Sequence, residues 1–135
     1  MGMKTIGRFV FDSTTAATLD ANQNISLPTS TVSTNCISCD GTNITINRCG
    51  TYQISADFSF AATAVAAIET QMYRNGNAVP GAHALDTATA VGNLTSQSFN
   101  ALVTVPRNAV GTVLNFKALD ATSVRVANVI VTKVA

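Results

Sequence analysis

The fold of this protein is decided by the stretch Thr51-Tyr52-Gln53-Ile54-Ser55-Ala56-Asp57-Phe58-Ser59-Phe60. Apolar side chains occupy its even positions and mostly polar ones its odd positions, which is the period-two alternation of a half-buried β-strand. Residues 99–105 repeat the pattern, and residues 114–118 give a shorter version. Residues 123–134 are dense in Val and are expected either in the middle of a sheet or against a partner. No segment has sustained helical spacing, since the Ala-rich residues 61–67 can equally form a loop between strands. The pattern predicts an all-β protein.

Turn signals divide the chain into short strands. Asn75-Gly76 is the residue pair most typical of a tight β-hairpin turn. Residues 13–35 are rich in Ser, Thr and Asn, and we expect a long irregular connection there with a short strand near residues 25–27. About eight to ten short strands at this spacing are typical of a β-sandwich or jelly roll. Because no linker interrupts the pattern, residues 1–135 are predicted to form one domain.

The chain carries few charges. Charged residues make up 11% of it and hydrophobic residues 47%, whereas ordinary globular proteins have about 25% charged residues. Eight basic and seven acidic side chains leave a net charge of +1, so no electrostatic field steers the protein to nucleic acid or to anionic membranes. A charge-poor, apolar-rich composition also argues against disorder. We expect neither nucleic-acid nor membrane partners.

The beginning of the chain has only a short apolar run, which Asp12 interrupts. A secretory signal has a longer apolar stretch and a small-residue cleavage site. We therefore expect a protein that acts where it is made, or that leaves the cell by lysis or specialised export. Met1-Gly2 is either a native start or a cloning remnant ahead of Met3.

Residues that usually carry catalysis are scarce. The chain has one histidine, His83, and one glutamate, Glu69, whereas acid–base catalysis usually uses a tuned pair of groups. The sequence contains no nucleophile elbow, no phosphate-binding glycine loop and no His-Glu-x-x-His zinc motif. We predict a protein that is not an enzyme and has no cofactor. Exposed loops such as residues 81–92 are candidates for a binding site.

Three cysteines, Cys36, Cys39 and Cys49, lie close together in the sequence. Zinc sites need four ligands, and catalytic Cys-x-x-Cys motifs lie at helix N-termini, whereas the flanks here indicate loop and strand. A structural role for the thiols is the favoured interpretation. A disulfide and, less favoured, a metal site are the alternatives.

From residue 44 onwards the chain resembles a known family. Gly50-Thr51-Tyr52 opens the long strand, the hairpin segment reads Tyr73-Arg74-Asn75-Gly76-Asn77-Ala78-Val79-Pro80-Gly81, and the chain closes on Val129-Ile130-Val131-Thr132-Lys133-Val134. This order resembles the tumour necrosis factor-like and complement globular-head superfamily, in which Gly-x-Tyr opens a central strand and a Tyr-Lys/Arg-Asn-Gly-x-x-Val hairpin follows. The Asn-Gly-x-x-Val-Pro-Gly wording is similar to the bacterial and phage branch, which includes C-terminal domains of exosporium collagen-like glycoproteins and phage virion proteins.

The resemblance implies a ten-strand, TNF-like jelly-roll β-sandwich that assembles as a homotrimer. The alternation assigns the following side chains to the sandwich core: Tyr52, Ile54, Phe58, Phe60, Phe99, Val103 and Phe116. Matching the strands to the family pattern places another set toward neighbouring subunits: Ser55, Asp57, Ser98, Asn100, Leu102, Asn128, Ile130 and Thr132. We expect a small-residue, partly polar trimer contact with Leu102 and Ile130 as its apolar patches. A merely solvent-exposed face is the alternative. Asn75 and Gly76 are expected to form the hairpin turn.

The expected function follows from the resemblance and from the lack of a signal sequence. Both favour a non-enzymatic structural or adhesion protein of a phage virion, such as a head decoration protein, a fibre or a receptor-binding trimer, that assembles in the host cytoplasm. Its partners would be its own copies and either capsid or other virion proteins or a cell-surface receptor. A trimer of the bacterial cell or spore surface is one alternative. A secreted cytokine-like or carbohydrate-binding module is another, although the absence of Trp disfavours a sugar-binding platform.

Overall fold

The molecule is built from β-strands arranged in two stacked sheets. The structure is a computed structural model that describes residues 5–34 and 36–135. The first six strands are β1 (Ile6–Leu19), β2 (Gln23–Asn24), β3 (Thr29–Ser33), β4 (Ile37–Cys39), β5 (Ile44–Ile46) and β6 (Gly50–Ala61). The others are β7 (Ala67–Arg74), β8 (Asn77–Thr87), β9 (Leu94–Val105), β10 (Thr112–Ala118) and β11 (Thr122–Lys133). A 3-10 turn, Arg107–Ala109, lies between β9 and β10.

The strand order shows how the chain alternates between the sheets. One sheet has the order β3-β1-β11-β6-β9, and the other has the order β4-β5-β10-β7-β8 with β2 paired to β10. The neighbouring strands are antiparallel, as in the β11–β6 and β6–β9 pairs. Because β9, β10 and β11 belong to the first, second and first sheet in turn, segments close in sequence pack face to face across the core. The expected all-β sandwich is confirmed, and the Val-rich β11 lies inside a sheet as predicted.

The core lies between the two sheets. The ring of Phe58 on β6 has its centroid 6.2 Å from those of Phe60 and Phe99 and 5.7 Å from that of Phe116, which comes from the opposite sheet. Such stacked and tilted aromatic pairs stabilise a core by about 0.5–1.5 kcal/mol beyond the burial of their area. The seven side chains assigned to the core by alternation are all buried, the most accessible being 8% exposed: Tyr52, Ile54, Phe58, Phe60, Phe99, Val103 and Phe116.

Residues 13–35 are more regular than their composition suggests. β1 continues to residue 19, β2 pairs with β10, and β3 pairs with β1 at the edge of its sheet. The described residues therefore hold eleven strands rather than ten. Asn35 lies outside the described residues. The short strand expected near residues 25–27 is not formed, although Ile25 and Leu27 are buried and their N–H groups donate to carbonyls of β10 and of the loop after β4.

Two other segments can be compared with what the sequence led us to expect. Residues 62–66 form a loop, so the Ala-rich segment is not a helix. Most of residues 81–92, expected to be an exposed loop, belong to β8, and only the part after residue 87 connects β8 to β9. In residues 5–34 and 36–135, no helix has the length and apolar character required to span a membrane.

Candidate assembly interface

The outer face of the sheet β3-β1-β11-β6-β9 is made by side chains that point away from the core. Its central part consists of three cross-strand rows, each centred on an odd-numbered residue of β6, and a further row around Ser59 contains Ser96, Val126 and Asp12. Around Gln53 lie Ile6, Thr132 and Leu102. Around Ser55 lie Val32, Arg8, Ile130 and Asn100. Around Asp57 lie Thr29, Val10, Asn128 and Ser98. Residues directly opposite each other in antiparallel strands share a face, with Cβ atoms about 5 Å apart.

The structure places all eight side chains assigned to a subunit contact on this outer face: Ser55, Asp57, Ser98, Asn100, Leu102, Asn128, Ile130 and Thr132. Four of them, on β6 and β9, are exposed, and the other four are half-buried. Leu102 is 68% exposed although it lies within a long strand. It lines a shallow concavity of about 340 Å³ together with Gln53, Asn100 and Ala101. The face thus combines neutral polar groups with an accessible apolar side chain.

Hydrogen bonds organise the polar groups of the outer face. Ser55 Oγ donates to Asn100 Oδ1 at 2.8 Å. Arg8 Nε donates to Asn128 Oδ1 at 2.8 Å, and Arg8 Nη1 donates weakly to Thr31 Oγ1 at 3.5 Å. These bonds link neighbouring strands and hold the side chains in defined positions.

Sequence reasoning missed the contribution of β1 and β3 to the outer face. Arg8 and Val10 lie on it because they flank the buried Phe9 in a strand. This alternation is brief, since Phe11 and Asp12 follow it, and β3 has no alternation because all of its side chains are exposed. The buried Phe9 between two outward residues is the signal that could have found them.

The predicted hairpin turn connects β7 and β8. Asn75 and Gly76 have φ values of 49° and 85°, and the flanking Arg74 and Asn77 are paired. Two successive positive φ values are typical of the type I′ turn, whose twist matches that of the strands it joins. The Asn75 N–H donates to Val113 O at 2.8 Å, and Asn75 Oδ1 accepts from the Val113 N–H at 2.9 Å. The turn is therefore attached to β10 as well as closing its own hairpin.

A second residue missed by sequence reasoning is Gln71 on β7. Its side chain is buried, and Nε2 lies 2.9 Å from the carbonyl oxygens of Met72 and Val79 and 3.2 Å from that of Ala82. The pairing of β7 and β8 changes register at this place, so the amide donates to backbone carbonyls where the ladder is irregular. No sequence signal marks Gln71, because β7 also contains Glu69, Thr70 and Arg74, and nothing in the sequence indicates its acceptors.

The three cysteines are free thiols, with Cys36 exposed and Cys39 and Cys49 half-buried. Cys39 Sγ donates to Leu27 O at 3.6 Å, and burial raises the pKa of the Cys39 thiol. That thiol is therefore a poor nucleophile near neutral pH. Among residues 5–34 and 36–135, no three His, Cys, Asp or Glu side chains converge as a metal site would require. The histidine His83 has its Nδ1 3.3 Å from Glu69 Oε2 on the surface of the other sheet.

Comparison with known proteins gives a likeness of structure. No protein-family model and no curated protein sequence matches the chain. The structure of Eiger TNF from S. frugiperda superposes with a TM-score of 0.76 at 9% identity, covering 98% of this chain and 93% of that one. Murine APRIL superposes with a TM-score of 0.72 at 8% identity, covering 98% of this chain and 100% of that one. PRD1 vertex protein P5, from a phage, superposes with a TM-score of 0.64 at 11% identity over 100% of both chains.

These matches extend over nearly the whole chain. Because the sequence identities are low, they show the fold alone. They agree with the two-sheet, all-β sandwich described above. The chain therefore has the TNF-like jelly-roll fold.

Proposed function

We propose that this protein is a non-enzymatic structural or adhesion component of a phage virion and that it works as a homotrimer. The observation that carries the proposal is the likeness to phage vertex protein P5 over the full length of both chains. None of the three matched proteins is described as an enzyme. The charge-poor composition supports the same assignment, because a neutral surface suits contact with other protein surfaces. Residues 1–135 would form one domain, with capsid or other virion proteins or a host receptor as further partners.

The outer face is the surface by which we propose that the trimer forms. Its polar groups are mostly neutral and small, so they are less costly to remove from water than charged groups are. Leu102 and Ile130 supply apolar area, and complete burial of a Leu or Ile side chain contributes about 1.5–3 kcal/mol. Three copies of each contribution favour association.

Light scattering at micromolar concentration tests the oligomeric state. The wild-type chain is expected at three times its mass of 14.0 kDa, and the mass of one chain would contradict the trimer. Leu102→Asp and Ile130→Asp are each expected to give monomers, because burying three unpaired carboxylates costs several kcal/mol. The matched control is Leu85→Asp, since Leu85 is 64% exposed but lies on the other sheet. That variant should remain trimeric.

Purified particles test the virion role. Phage particles released by lysis are banded on a density gradient, and their proteins are identified by mass spectrometry. We expect this chain in the particle band, in a copy number divisible by three. Its absence from intact particles, with the protein recovered free in the lysate, would contradict the proposal.

A secreted ligand of the cytokine type is the second candidate. The observation in its favour is that Eiger TNF and murine APRIL superpose with higher TM-scores than the vertex protein does. This candidate also predicts a trimer, so the oligomeric state does not separate the two. The particle experiment does, because a secreted ligand would be found outside particles and would bind to the surface of intact cells.

A further inference from the structure

Two charges lie within the three central rows of the outer face, Arg8 on β1 and Asp57 on β6, with β11 between them. A third charge, Asp12, lies one row beyond. Asp57 is exposed and accepts no hydrogen bond and forms no ion pair within residues 5–34 and 36–135. Arg8 is also exposed. Its guanidinium has five N–H donors, of which one makes a short bond to Asn128 and one a long bond to Thr31. A free acid and a base with free donors therefore share the surface that is proposed to become buried.

The side chains around Asp57 form a surface depression. Asp57 lines a depression of about 240 Å³ together with the hydroxyl-bearing Ser59, Ser96 and Ser98. These hydroxyl groups can accept hydrogen bonds beside the carboxylate, so the depression matches a donor-rich cation. Asn128, on β11, accepts from Nε of Arg8, Nη1 makes only the long bond to Thr31, and no hydrogen bond of Nη2 is seen among residues 5–34 and 36–135. A guanidinium can bind a carboxylate through two parallel hydrogen bonds.

Threefold symmetry brings the two sides of the face together. In a closed ring of three subunits each contact is heterologous, so that one part of the surface meets a different part of the next subunit. The outer face has its base on the β1 side and its acid on the β6–β9 side, which is the arrangement that such a contact needs. If Asp57 were instead buried without a partner, its desolvation would oppose assembly.

We propose that the trimer contact pairs Arg8 of one subunit with Asp57 of the next, with the guanidinium in the depression lined by Ser59, Ser96 and Ser98. This inference rests on the proposed trimer and identifies the second copy of the chain as the occupant of the depression. It makes the contact directional, because each subunit gives its Arg8 to one neighbour and receives an Arg8 from the other.

Charge reversal tests the pair. Asp57→Arg and Arg8→Asp each place like charges together at all three contacts. Each is expected to raise the concentration of half-assembly by about a hundredfold, since like charges juxtaposed at an interface cost several kcal/mol. The double variant Asp57→Arg/Arg8→Asp should recover the trimer. Asp57→Asn, which keeps the shape of the side chain, should weaken assembly by a smaller factor. Circular dichroism checks that each chain is folded, and both positions are exposed in the single chain.

Mixing two variants that do not assemble alone tests whether residues 8 and 57 pair between subunits and not within one chain. An Asp57→Arg chain and an Arg8→Asp chain form opposite-charge pairs at two of the three contacts of a mixed trimer, whereas either chain alone forms none. We therefore expect the mixture, but neither variant alone, to assemble. The matched control replaces Asp57→Arg by Asp12→Arg, since Asp12 lies on the same side of the sheet, one row beyond Asp57, opposite Val126. This chain has the same change in net charge but keeps both Arg8 and Asp57, so on its own it should form the trimer as the wild type does.

The outcomes are distinguishable. A wild-type monomer would overturn the proposed trimer and this inference with it. A wild-type trimer that withstands both single reversals would overturn the pair alone and leave the trimer standing. Loss of assembly by Asp12→Arg equal to that by Asp57→Arg would show an effect of net charge on this face, and this too would overturn the pair.

Discussion

Gln71 shows how much a single buried side chain contributes to this fold. Its amide lies within hydrogen-bond distance of three backbone carbonyls at the place where the β7–β8 ladder changes register. Buried carbonyls without donors are costly, because they lose their bonds to water without replacing them. A residue that looks unremarkable in the sequence thus completes the irregular part of a sheet.

Gln71→Met is expected to lower the free energy of unfolding by about 1–3 kcal/mol, because the buried carbonyl oxygens lose a donor while the side-chain volume is kept. Urea denaturation measures the change. Gln53→Met is the control, since Gln53 is exposed, and it should change stability by less than about 0.5 kcal/mol. Both substitutions are made in the Leu102→Asp chain, where assembly does not contribute. Equal effects at the two positions would contradict the role assigned to Gln71.

Asp40 provides a prediction of pH dependence. Its carboxylate accepts hydrogen bonds from the backbone N–H groups of Asn43 and Thr42 at 2.8 and 3.0 Å, and these bonds lower the pKa of Asp40 below its ordinary value of 3.8. A carboxyl group whose pKa is lower in the folded state stabilises the fold above its unfolded pKa. This stabilisation is lost as the pH falls from about 4 through the folded pKa. Thermal unfolding at several pH values should show that Asp40→Asn loses less stability than the wild type as the pH falls. Parallel profiles of the two chains would contradict this prediction.

At the scale of elements, the glycines at positions 76 and 50 are required for different reasons. Gly76 closes the β7–β8 hairpin with φ of 85°, and a Cβ added there would meet no atom within 4 Å. Gly50 begins β6 with φ of 146°, and a Cβ there would lie 2.5 Å from Lys133 Cε and 2.9 Å from the backbone oxygen of Ala135. The first glycine is required by the backbone conformation alone. The second also allows the end of the chain to lie against the start of the central strand.

This difference predicts an order of stability. Gly76→Ala should cost about 1–2 kcal/mol, the conformational cost of a left-handed residue with a side chain. Gly50→Ala should cost more, because the backbone oxygen of residue 135 cannot move aside as a flexible side chain can. Chemical denaturation of the two variants, again in the Leu102→Asp chain, gives the comparison. A larger cost at Gly76 would contradict the close approach at Gly50.

At the scale of the whole molecule, the sandwich has two unequal outer surfaces. The outer face of the sheet that contains β6 has accessible Leu102, neutral polar rows and the charges Arg8 and Asp57 on opposite sides of β11. The outer surface of the other sheet carries the Glu69–His83 contact and Lys117, whose Nζ lies 5.0 Å from the centre of the Tyr73 ring. Charges on that surface have partners within the chain, whereas Asp57 has none within the described ranges. This asymmetry is what a protein with one assembling surface needs.

Assembly also predicts how thermal stability depends on concentration. If folding and trimer formation are coupled, mass action stabilises the folded chain as the concentration rises. The wild-type Tm should therefore increase over a hundredfold range of protein concentration, while the Tm of Leu102→Asp should stay constant. Differential scanning calorimetry measures both. A wild-type Tm that is independent of concentration would argue against a trimer in this range.

The sequence by itself determined the class of fold and the sides of its central strands. Alternation along β6 and β9 is a local property, because successive side chains of a strand point to opposite faces, and the Asn75-Gly76 turn depends only on neighbouring residues. The local pattern could not predict β3, whose side chains are all exposed, nor the extension of β1 into residues 13–19. Those segments are strands because their backbones pair with strands distant in the sequence.

Only the tertiary structure decided which residues meet. Arg8 lies opposite Ile130, and Asn128 lies opposite Asp57, because the strand order places β11 between β1 and β6. Likewise Gln71 obtains its acceptors from a change of register between two strands. Strand order and register depend on contacts between parts of the chain that are far apart in sequence, whereas periodicity describes only which side a residue faces. The sequence therefore determined that an outer face exists, and the tertiary structure determined that this face carries an acid and a base on opposite sides of one strand.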